Sequence, residues 1–162
     1  MGITLQLFLF LIPFIKEERS RKLSLKLNQE KKGRQVAEQT LSESEEYNRT
    51  LFTQSSIGLA LATMEGILVD INPAFANIIG RTIEETKKLS YWDITPKKYG
   101  EQEQEQLKLL KTTGEYGPYE KEYIHKSGGL IPVRLKGKIL KQKGVEYIWS
   151  SVENISEKKK AE

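Results

Sequence analysis

The only histidine in the sequence, His125, is the one imidazole that could ligate haem iron or accept a phosphoryl group in a phosphorelay. It lies near the end of a predicted strand, beside Lys126 and a turn, and lacks the helical context of a kinase phospho-acceptor. The absence of cysteine excludes a disulfide framework, a thiolate zinc site and a cysteine nucleophile. We therefore interpret His125 as an ordinary surface histidine.

Other side chains that could support catalysis form no recognisable constellation. The sequence has no glycine-rich phosphate loop, no metal-ligand spacing and no nucleophile paired with the histidine. Carboxylates are numerous, but they lie mainly in polar helical stretches, where runs of charge indicate a solvated face. The sequence therefore predicts a protein that is not an enzyme, with no catalytic residue and no metal site.

The charge distribution gives only a weak indication of a polyanionic partner. The formal net charge is +4 and the pI about 9.1. Much of the excess positive charge lies in two short clusters. Clustered arginines with interleaved aromatic residues, which typify a nucleic-acid surface, are missing. We expect no nucleic-acid partner. The two clusters are Lys16, Arg19, Arg21, Lys22 and Lys26, and Lys158, Lys159 and Lys160.

Residues 1–15 are predicted to form an apolar segment, of which residues 3–15 (ITLQLFLFLIPFI) are almost wholly apolar. At about 1.5 Å per residue a helix of that length reaches about 20 Å, short of the roughly 30 Å hydrocarbon core of a bilayer. The basic cluster that follows fits the cytoplasmic flank of a membrane helix. We interpret the segment as the remnant or tail of a membrane anchor. The alternatives are a helix packed on a partner or on the domain, and a mispredicted start codon. The expected location is cytoplasmic, with membrane contact through residues 3–15 at the inner face of the plasma membrane.

Residues 16–46 are predicted to form a charged linker or signalling helix, because they are rich in Lys, Glu, Gln, Ser and Leu and contain no proline. A heptad register places leucines on one seam, but Glu30, Arg34, Ser44 and Asn48 fall on the same seam. We expect a helix that pairs weakly, or only beside a dimeric neighbour, and the alternative is a solvated linker helix. The leucines assigned to the pairing interface are Leu23, Leu27, Leu41 and Leu51.

Residues 47–156 are predicted to form a separate domain that begins with a hairpin. Two short apolar runs, residues 57–63 and 67–71, flank a turn. Asn72 then starts a short helix, because its side chain can cap free amides and the proline that follows is tolerated at the first helical position. Gly80 supplies the left-handed end of this helix.

A longer polar helix is predicted to open at Thr95-Pro96 and to run to Lys111. Beyond Gly117-Pro118, three segments alternate between apolar and polar residues and are predicted to be strands: residues 119–125, 130–140 and 145–154. Successive side chains of a strand point to opposite faces of the sheet. One face of these strands is therefore predicted to hold Tyr119, Tyr123, Ile131, Val133, Leu135, Ile148, Ser150 and Val152. The other face holds Glu120, Glu122, Arg134 and Lys136.

The order of elements predicts an α+β fold. Two strands, a group of helices and three further strands imply a five-stranded antiparallel sheet with short helices on one face. A long N-terminal helix precedes this domain. The inner face of the sheet would then hold the hydrophobic core and any pocket.

Several motifs in this order resemble those of the PAS domain, the S-box type of sensory domain in bacterial multi-domain signal-transduction proteins. They are residues 51–52 (LF), 66–75 (GILVDINPAF), 93–96 (DITP), 119–123 (YEKEY), 126–128 (KSG) and 152–157 (VENISE). The resemblance covers about two thirds of the chain. It implies a ligand-sensing or dimerising input domain, typically set upstream of a histidine kinase or a cyclic-nucleotide enzyme.

The resemblance also bears on cofactors. The flavin-binding photosensors of the family need a reactive cysteine on a helix, which this sequence lacks. Haem proteins of the family usually take their iron ligand from the long helix, which here contains no histidine. We predict no cofactor, while an unknown small ligand stays open. The alternatives are a haem- or flavin-binding redox or gas receptor, and a truncated fragment of a sensor histidine kinase.

The pocket candidates lie on the predicted inner face and on the helices above it. Most of them are apolar, and residues of this kind more often form plain core than ligand lining, because a domain this small needs most of its inner face for stability. Two polar side chains of the long helix are added as possible ligand contacts. The candidates are Phe75, Ile79, Trp92, Glu103, Gln106, Tyr123, Val133, Leu135, Ile148 and Ser150.

The end of the domain carries the candidates for signal relay. The family often ends with Asp-Ile-Thr, which couples the last strand to the following helix, and the matching residues here are Asn154, Ile155 and Ser156. Asn154 and Ser156 can still form hydrogen bonds and are the relay candidates. Residues 157–162 are predicted to start a C-terminal linker helix.

The outer face of the sheet carries a further interface candidate. Trp149 is predicted to lie on this face, which PAS domains often use for pairing. It joins the four leucines in a predicted homodimer interface. The expected partner beyond the dimer is an effector kinase or cyclase, in cis or in trans.

Overall fold

The computed structural model describes residues 2–161, with side chains described from residue 8 onward. The chain divides into two compact units, one ending at Asn48 and the other beginning at Arg49. The elements in chain order are α1 (Gly2–Gln54), β1 (Gly58–Thr63), β2 (Leu68–Ile71), α2 (Pro73–Ile79), α3 (Ile83–Thr86), a 3-10 turn (Lys97–Tyr99), α4 (Gly100–Thr113), β3 (Glu115–Ile124), β4 (Leu130–Gln142), β5 (Val145–Asn154) and α5 (Ser156–Ala161).

Helix α1 is continuous over 53 residues, so the apolar segment and the charged linker predicted separately belong to one helix. Ion pairs between residues four apart support it, such as Glu18 with Lys22 at 3.0 Å and Arg34 with Glu38 at 2.7 Å. Within the described part of the chain, no helix is both long enough and apolar enough to cross a bilayer. The four leucines assigned to the pairing seam are exposed, and their role in a homodimer stays a prediction.

The second unit contains a five-stranded antiparallel sheet in the order β2-β1-β5-β4-β3, which confirms the predicted fold class. The pairing register places the predicted inward residues on one face. Tyr123 lies opposite Ile131, and Leu135 lies between Tyr119 and Val152 on the neighbouring strands. On the other face, Glu120 of β3 lies opposite Arg134 of β4 and pairs with it.

Helix α2 begins and ends where the sequence predicts. The Oδ1 atom of Asn72 accepts a hydrogen bond from the amide of Phe75 at 3.0 Å, and Gly80 ends the helix in the left-handed conformation. The side chain of Asn72 is fully buried and makes three further hydrogen bonds. Its Oδ1 also accepts from the amide of Leu59, and its Nδ2 donates to the carbonyl oxygens of Phe52 and Ile57. This one side chain therefore joins the last turn of α1, β1 and α2.

Two elements start several residues away from the predicted position. The α-helix predicted from Thr95 starts at Gly100, because Pro96 is extended and the residues after it form a 3-10 turn. Strand β3 starts at Glu115, whereas the sequence predicts a strand that begins only after Gly117-Pro118. Gly117-Pro118 can lie within β3 because β3 is an edge strand, where the missing amide of a proline is tolerated. The pairing register between β3 and β4 also shifts at this point.

The core lies between the inner face of the sheet and the helices above it. Its largest fully buried side chains come from both layers, which explains why a sheet and short polar helices fold together. They include Ile71, Phe75, Ile79, Ile94, Leu110, Val133, Val152 and Ile155.

Candidate ligand cavity on the inner face of the sheet

A cavity of about 40 Å³ lies between the inner face of the sheet, α2 and α4. One water molecule needs roughly 10–15 Å³ of such space, so the cavity has room for a small ligand. Seven of the ten predicted pocket residues line it: Phe75, Glu103, Gln106, Tyr123, Leu135, Ile148 and Ser150. The other lining residues are Ala60, Ala62, Leu68, Tyr91, Leu107, Leu110, Tyr116, Tyr119 and Lys121.

Three predicted pocket residues lie outside this lining. Ile79 and Val133 are completely buried and form plain core beside the cavity. Trp92 is half-buried and packs its ring against that of Tyr91, with centroids 5.0 Å apart. Tyr91 itself faces the cavity, since neighbouring residues in this turn point in different directions.

The polar wall of the cavity is built around a buried ion pair between β3 and α4. The Nζ atom of Lys121 lies 2.6 Å from Oε1 of Glu103, and the two side chains are only 1% and 5% exposed. The same Oε1 accepts a hydrogen bond from the hydroxyl of Tyr119. The ammonium also donates to Oγ1 of Thr95 at 3.1 Å.

Three tyrosine rings surround the ammonium of Lys121, with centroids 5.0 to 5.9 Å from Nζ. The negative faces of aromatic rings stabilise a cation and partly replace its hydration. Burial lowers the pKa of Lys121, and the charge of Glu103 opposes this shift. The rings belong to Tyr91, Tyr119 and Tyr123.

Burial also keeps the tyrosine hydroxyls of the cavity protonated. It raises the pKa of Tyr91 to about 12, and the negative charge of Glu103 adds to this effect. Burial raises the pKa values of Tyr116, Tyr119 and Tyr123 in the same direction. These hydroxyls are therefore hydrogen-bonding groups at neutral pH and carry no charge.

Three polar groups at this wall have hydrogen-bonding capacity that the protein does not use. An ammonium has three donors, and Lys121 uses two of them. Among the described residues, the Oε2 atom of Glu103 accepts no hydrogen bond, because both bonds to this carboxylate go to Oε1. Within the part of the chain that the structure describes, the buried hydroxyl of Tyr91 has no hydrogen-bond partner either.

Two other hydrogen bonds are made by polar groups of the lining. The hydroxyl of Tyr116 donates to Oγ of Ser150 at 2.6 Å. The Oε1 atom of Gln106 accepts from the amide of Gly117 at 2.9 Å, which ties α4 to β3.

Sequence reasoning missed Lys121, although the signal was present. The sequence predicts that Tyr119 and Tyr123 point inward. Lys121 lies two residues from each of them, so the alternation of side chains along a strand makes it point inward as well. A lysine on an apolar face is normally unfavourable. Here Glu103 on the facing helix compensates its charge.

The predicted relay residues lie at the junction between β5 and α5. Oδ1 of Asn154 accepts a hydrogen bond from the amide of Ser156 at 2.9 Å. Ile155 between them is buried, and its amide donates to the carbonyl of Pro132. Helix α5 is further held by the ion pair of Lys159 with Glu120 at 2.8 Å. Whether this junction relays a signal stays a prediction.

His125 and Trp149 both lie away from the cavity. Nδ1 of His125 is 2.8 Å from Oγ of Ser127 in the turn before β4. Trp149 lies half-buried on the outer face, with its ring 6.0 Å from that of Phe52. Within the described part of the chain, no three His, Asp or Glu side chains are grouped to hold a metal ion.

The PAS domain family matches residues 56–157 of the sequence. This match covers more than half of the chain and coincides with the sheet, the helices above it and the cavity. The protein therefore belongs to the PAS domain family, as its motifs indicate.

Two curated relatives and one solved structure illustrate the similarity. A hybrid signal transduction protein, dokA of Dictyostelium discoideum, is 37% identical over 91 residues. A methyl sulfide methyltransferase-associated sensor of Methanosarcina acetivorans is 29% identical over 127 residues. The PAS domain of an HTR-like protein from Haloarcula marismortui superimposes with a TM-score of 0.65 at 20% identity.

The extent of these matches differs between the relatives and the solved structure. The aligned regions cover 55% and 78% of this chain, but only 5% and 13% of the two relatives. The structural match covers 75% of this chain and 99% of the Haloarcula chain. The chain therefore spans only a small part of the length of these two relatives.

Proposed function

We propose that this protein is a non-catalytic PAS sensory and dimerisation module, in which a small molecule bound in the cavity changes the state of an effector kinase or cyclase. The observation that carries the proposal is the cavity itself, with a buried ion pair in its wall. The names of the two relatives, a sensor and a signal transduction protein, fit this role.

The energetics of the ion pair support a functional role for the cavity. A buried ion pair adds little net stability, because the desolvation of both ions offsets their attraction, and well-packed apolar residues are often as stable. Unused polar groups beside a cavity cost further stability unless something binds them. A ligand that satisfies these groups would bind the folded state and stabilise it.

Two connections lead from the cavity wall to the helices at either end of the domain. Phe75 lines the cavity, and its amide bonds to Asn72, which also holds the carbonyl of Phe52 in the last turn of α1. On the other side, Ile148 and Ser150 line the cavity on β5, which leads to α5. A ligand that shifts the cavity wall would therefore change how both helices pack. It would do so by favouring one of two packings that are in equilibrium.

Dimerisation is the second part of the proposal. The exposed leucines of α1 and the outer face around Trp149 are the surfaces that would pair. Sedimentation equilibrium of the full chain should give a mass of two chains at micromolar concentration. Replacing Leu23, Leu27 and Leu41 by serine should shift this equilibrium toward one chain. An unchanged mass would remove the α1 seam from the interface.

Native mass spectrometry tests the ligand directly. Protein purified without denaturation should carry a non-covalent small-molecule adduct that is lost after acid denaturation. The Ala62→Leu variant should lack the adduct, because the added carbons fill the cavity that Ala62 lines. The matched control is Ala37→Leu, the same change at an exposed residue of α1, which should retain the adduct. Equal adducts on both variants would contradict binding in this cavity.

A further inference from the structure

The net charge of the cavity wall restricts what can bind there. Glu103 and Lys121 are the charged residues of the lining, and they neutralise each other at 2.6 Å. An additional ion in the cavity would face an ion pair that is already balanced. It would also lose its own hydration, which costs several kcal/mol per ion. The wall therefore favours an uncharged ligand.

The unused groups define what an uncharged ligand must carry. The free Oε2 of Glu103 can only accept a hydrogen bond, and the third N–H of Lys121 can only donate one. The unpartnered hydroxyl of Tyr91 can do either. A ligand that satisfies this wall needs a donor and an acceptor close together.

The geometry of the Glu103 carboxylate matches that of a carboxamide. The two oxygens of Glu103 share one carbon atom, so Oε2 lies beside the Oε1 that holds the ammonium of Lys121. The nitrogen and oxygen of a carboxamide share one carbon atom in the same way. The amide N–H can donate to Oε2, while its oxygen accepts from Lys121 or from Tyr91. The rest of the lining is largely apolar and suits a short alkyl group.

From these observations we infer that the cavity selects small uncharged molecules with a donor beside an acceptor, and that a primary carboxamide with a short alkyl group is the best match. This inference rests on the proposed function, since it names the ligand class of the same cavity. It also gives the buried ion pair a specific purpose, which is to recognise a neutral polar group.

Three probes of nearly the same shape separate the effect of charge from that of size. Propionamide, propionate and propionamidinium share one planar skeleton and differ in charge. Binding to the full-length chain would be followed at neutral pH by calorimetric titration and by the increase in Tm. Propionamide should bind at least about tenfold more tightly than either ion, which corresponds to about 1.4 kcal/mol.

The outcomes separate the inference from the proposed function. Equal or tighter binding of propionate or propionamidinium would overturn the inference but leave the cavity as a ligand site. If none of the three binds in the cavity and no adduct is found on the native protein, the proposed function fails together with the inference.

A pair of tyrosine variants tests the recognition without disturbing the ion pair. Tyr91→Phe removes a hydroxyl that has no partner, so it should fold normally and weaken propionamide binding several-fold. Tyr47→Phe makes the same change at an exposed tyrosine of α1, and its affinity should stay within about twofold. Equal affinities of the two variants would remove Tyr91 from the recognition of the ligand.

A charge variant then tests the balance of the wall. Glu103→Gln keeps the shape of the side chain but leaves the charge of Lys121 without its counter-charge. The preference should then shift from propionamide toward propionate. An unchanged preference for the amide in a folded Glu103→Gln variant would overturn the inference. Should this variant fail to fold, the Tyr91→Phe comparison still decides.

Discussion

The ammonium of Lys121 on β3 lies 2.6 Å from the carboxylate of Glu103 on α4, at the wall of a cavity and almost completely out of solvent. This pair joins the edge strand of the sheet to the helix that covers it. Its position explains why so polar a helix packs on the sheet, and it places two charges where a ligand would bind.

Removal of one partner of this pair should be strongly destabilising. Lys121→Met leaves Glu103 buried without its counter-charge, and we expect a loss of about 3–5 kcal/mol in the free energy of unfolding. Urea denaturation followed by circular dichroism measures the effect. The control is Lys138→Met, the same change at an exposed lysine of β4, which should stay within about 0.5 kcal/mol. Equal effects of the two changes would contradict the buried pair.

Replacing both partners should restore most of the loss. The double variant Glu103→Leu, Lys121→Met removes both charges and fills the same volume with apolar groups, which is often neutral or stabilising. Its urea midpoint should lie well above that of Lys121→Met. A double variant no more stable than the single one would indicate that the pair contributes more than charge compensation.

Stability should fall as the pH rises above 10. The unfolded chain ionises its tyrosines near pH 10, whereas burial raises the pKa of Tyr91 to about 12 and those of Tyr119 and Tyr123 in the same direction. In this range the folded state binds more protons, so the free energy of unfolding decreases with pH. Burial lowers the pKa of Lys121, so this residue alone would make the free energy of unfolding increase with pH. The tyrosines outnumber this single lysine, and their effect is therefore the larger one.

Urea denaturation at several pH values between 10 and 12 measures this slope. Tyr123→Phe should make it less steep by the contribution of one tyrosine. A free energy of unfolding that stays constant through this range would show that the hydroxyls are not buried in solution.

Asn72 should be essential for the attachment of the last turn of α1. Asn72→Ala removes the cap of α2 and leaves the backbone amides of Leu59 and Phe75 without their acceptor. We expect a loss of about 2–4 kcal/mol and faster hydrogen exchange of the Leu59 and Phe75 amides. Asn77→Ala, an exposed position of the same helix, is the matched control and should change neither quantity appreciably.

Gly117 should be intolerant of any side chain. A Cβ atom there would overlap the carbonyl oxygen of Leu135, and the backbone has a positive φ of 73°. Gly144 also has a positive φ, of 82°, but an added Cβ meets nothing within 4 Å. Gly144→Ala should cost roughly 1–2 kcal/mol for backbone conformation alone. Gly117→Ala should cost about 1–3 kcal/mol more because of the overlap, and equal costs would exclude the close approach.

The strands and α2 could be predicted because local signals determine them. The alternation from Tyr119 to Val152 fixes which residues face inward, and Asn72 and Gly80 carry the cap chemistry of α2 in their own side chains or backbone. Gly117-Pro118 misled the prediction of β3, because a residue pair that ends a central strand is tolerated in an edge strand with a register shift.

The cavity itself could be predicted only in part. Ile79 and Val133 have the same residue types as the lining, and whether such side chains meet a void depends on how the two layers pack. Sequence spacing does not determine whether Tyr91 or Trp92 turns inward, since both lie in an irregular segment. The pairing of Lys121 with Glu103 depends on the docking of α4, which brings together residues far apart in the chain.

A titration of the isotope-labelled full chain with propionamide, followed by amide chemical shifts in nuclear magnetic resonance spectra, tests the central claim most directly. We predict that the amides of Ala62 and Ile148 at the cavity shift together with those of Phe52 and Ser156 at the two helix junctions, with one common midpoint. Shifts restricted to surface residues, or cavity shifts without any change at the junctions, would contradict a ligand-sensing cavity coupled to both helices.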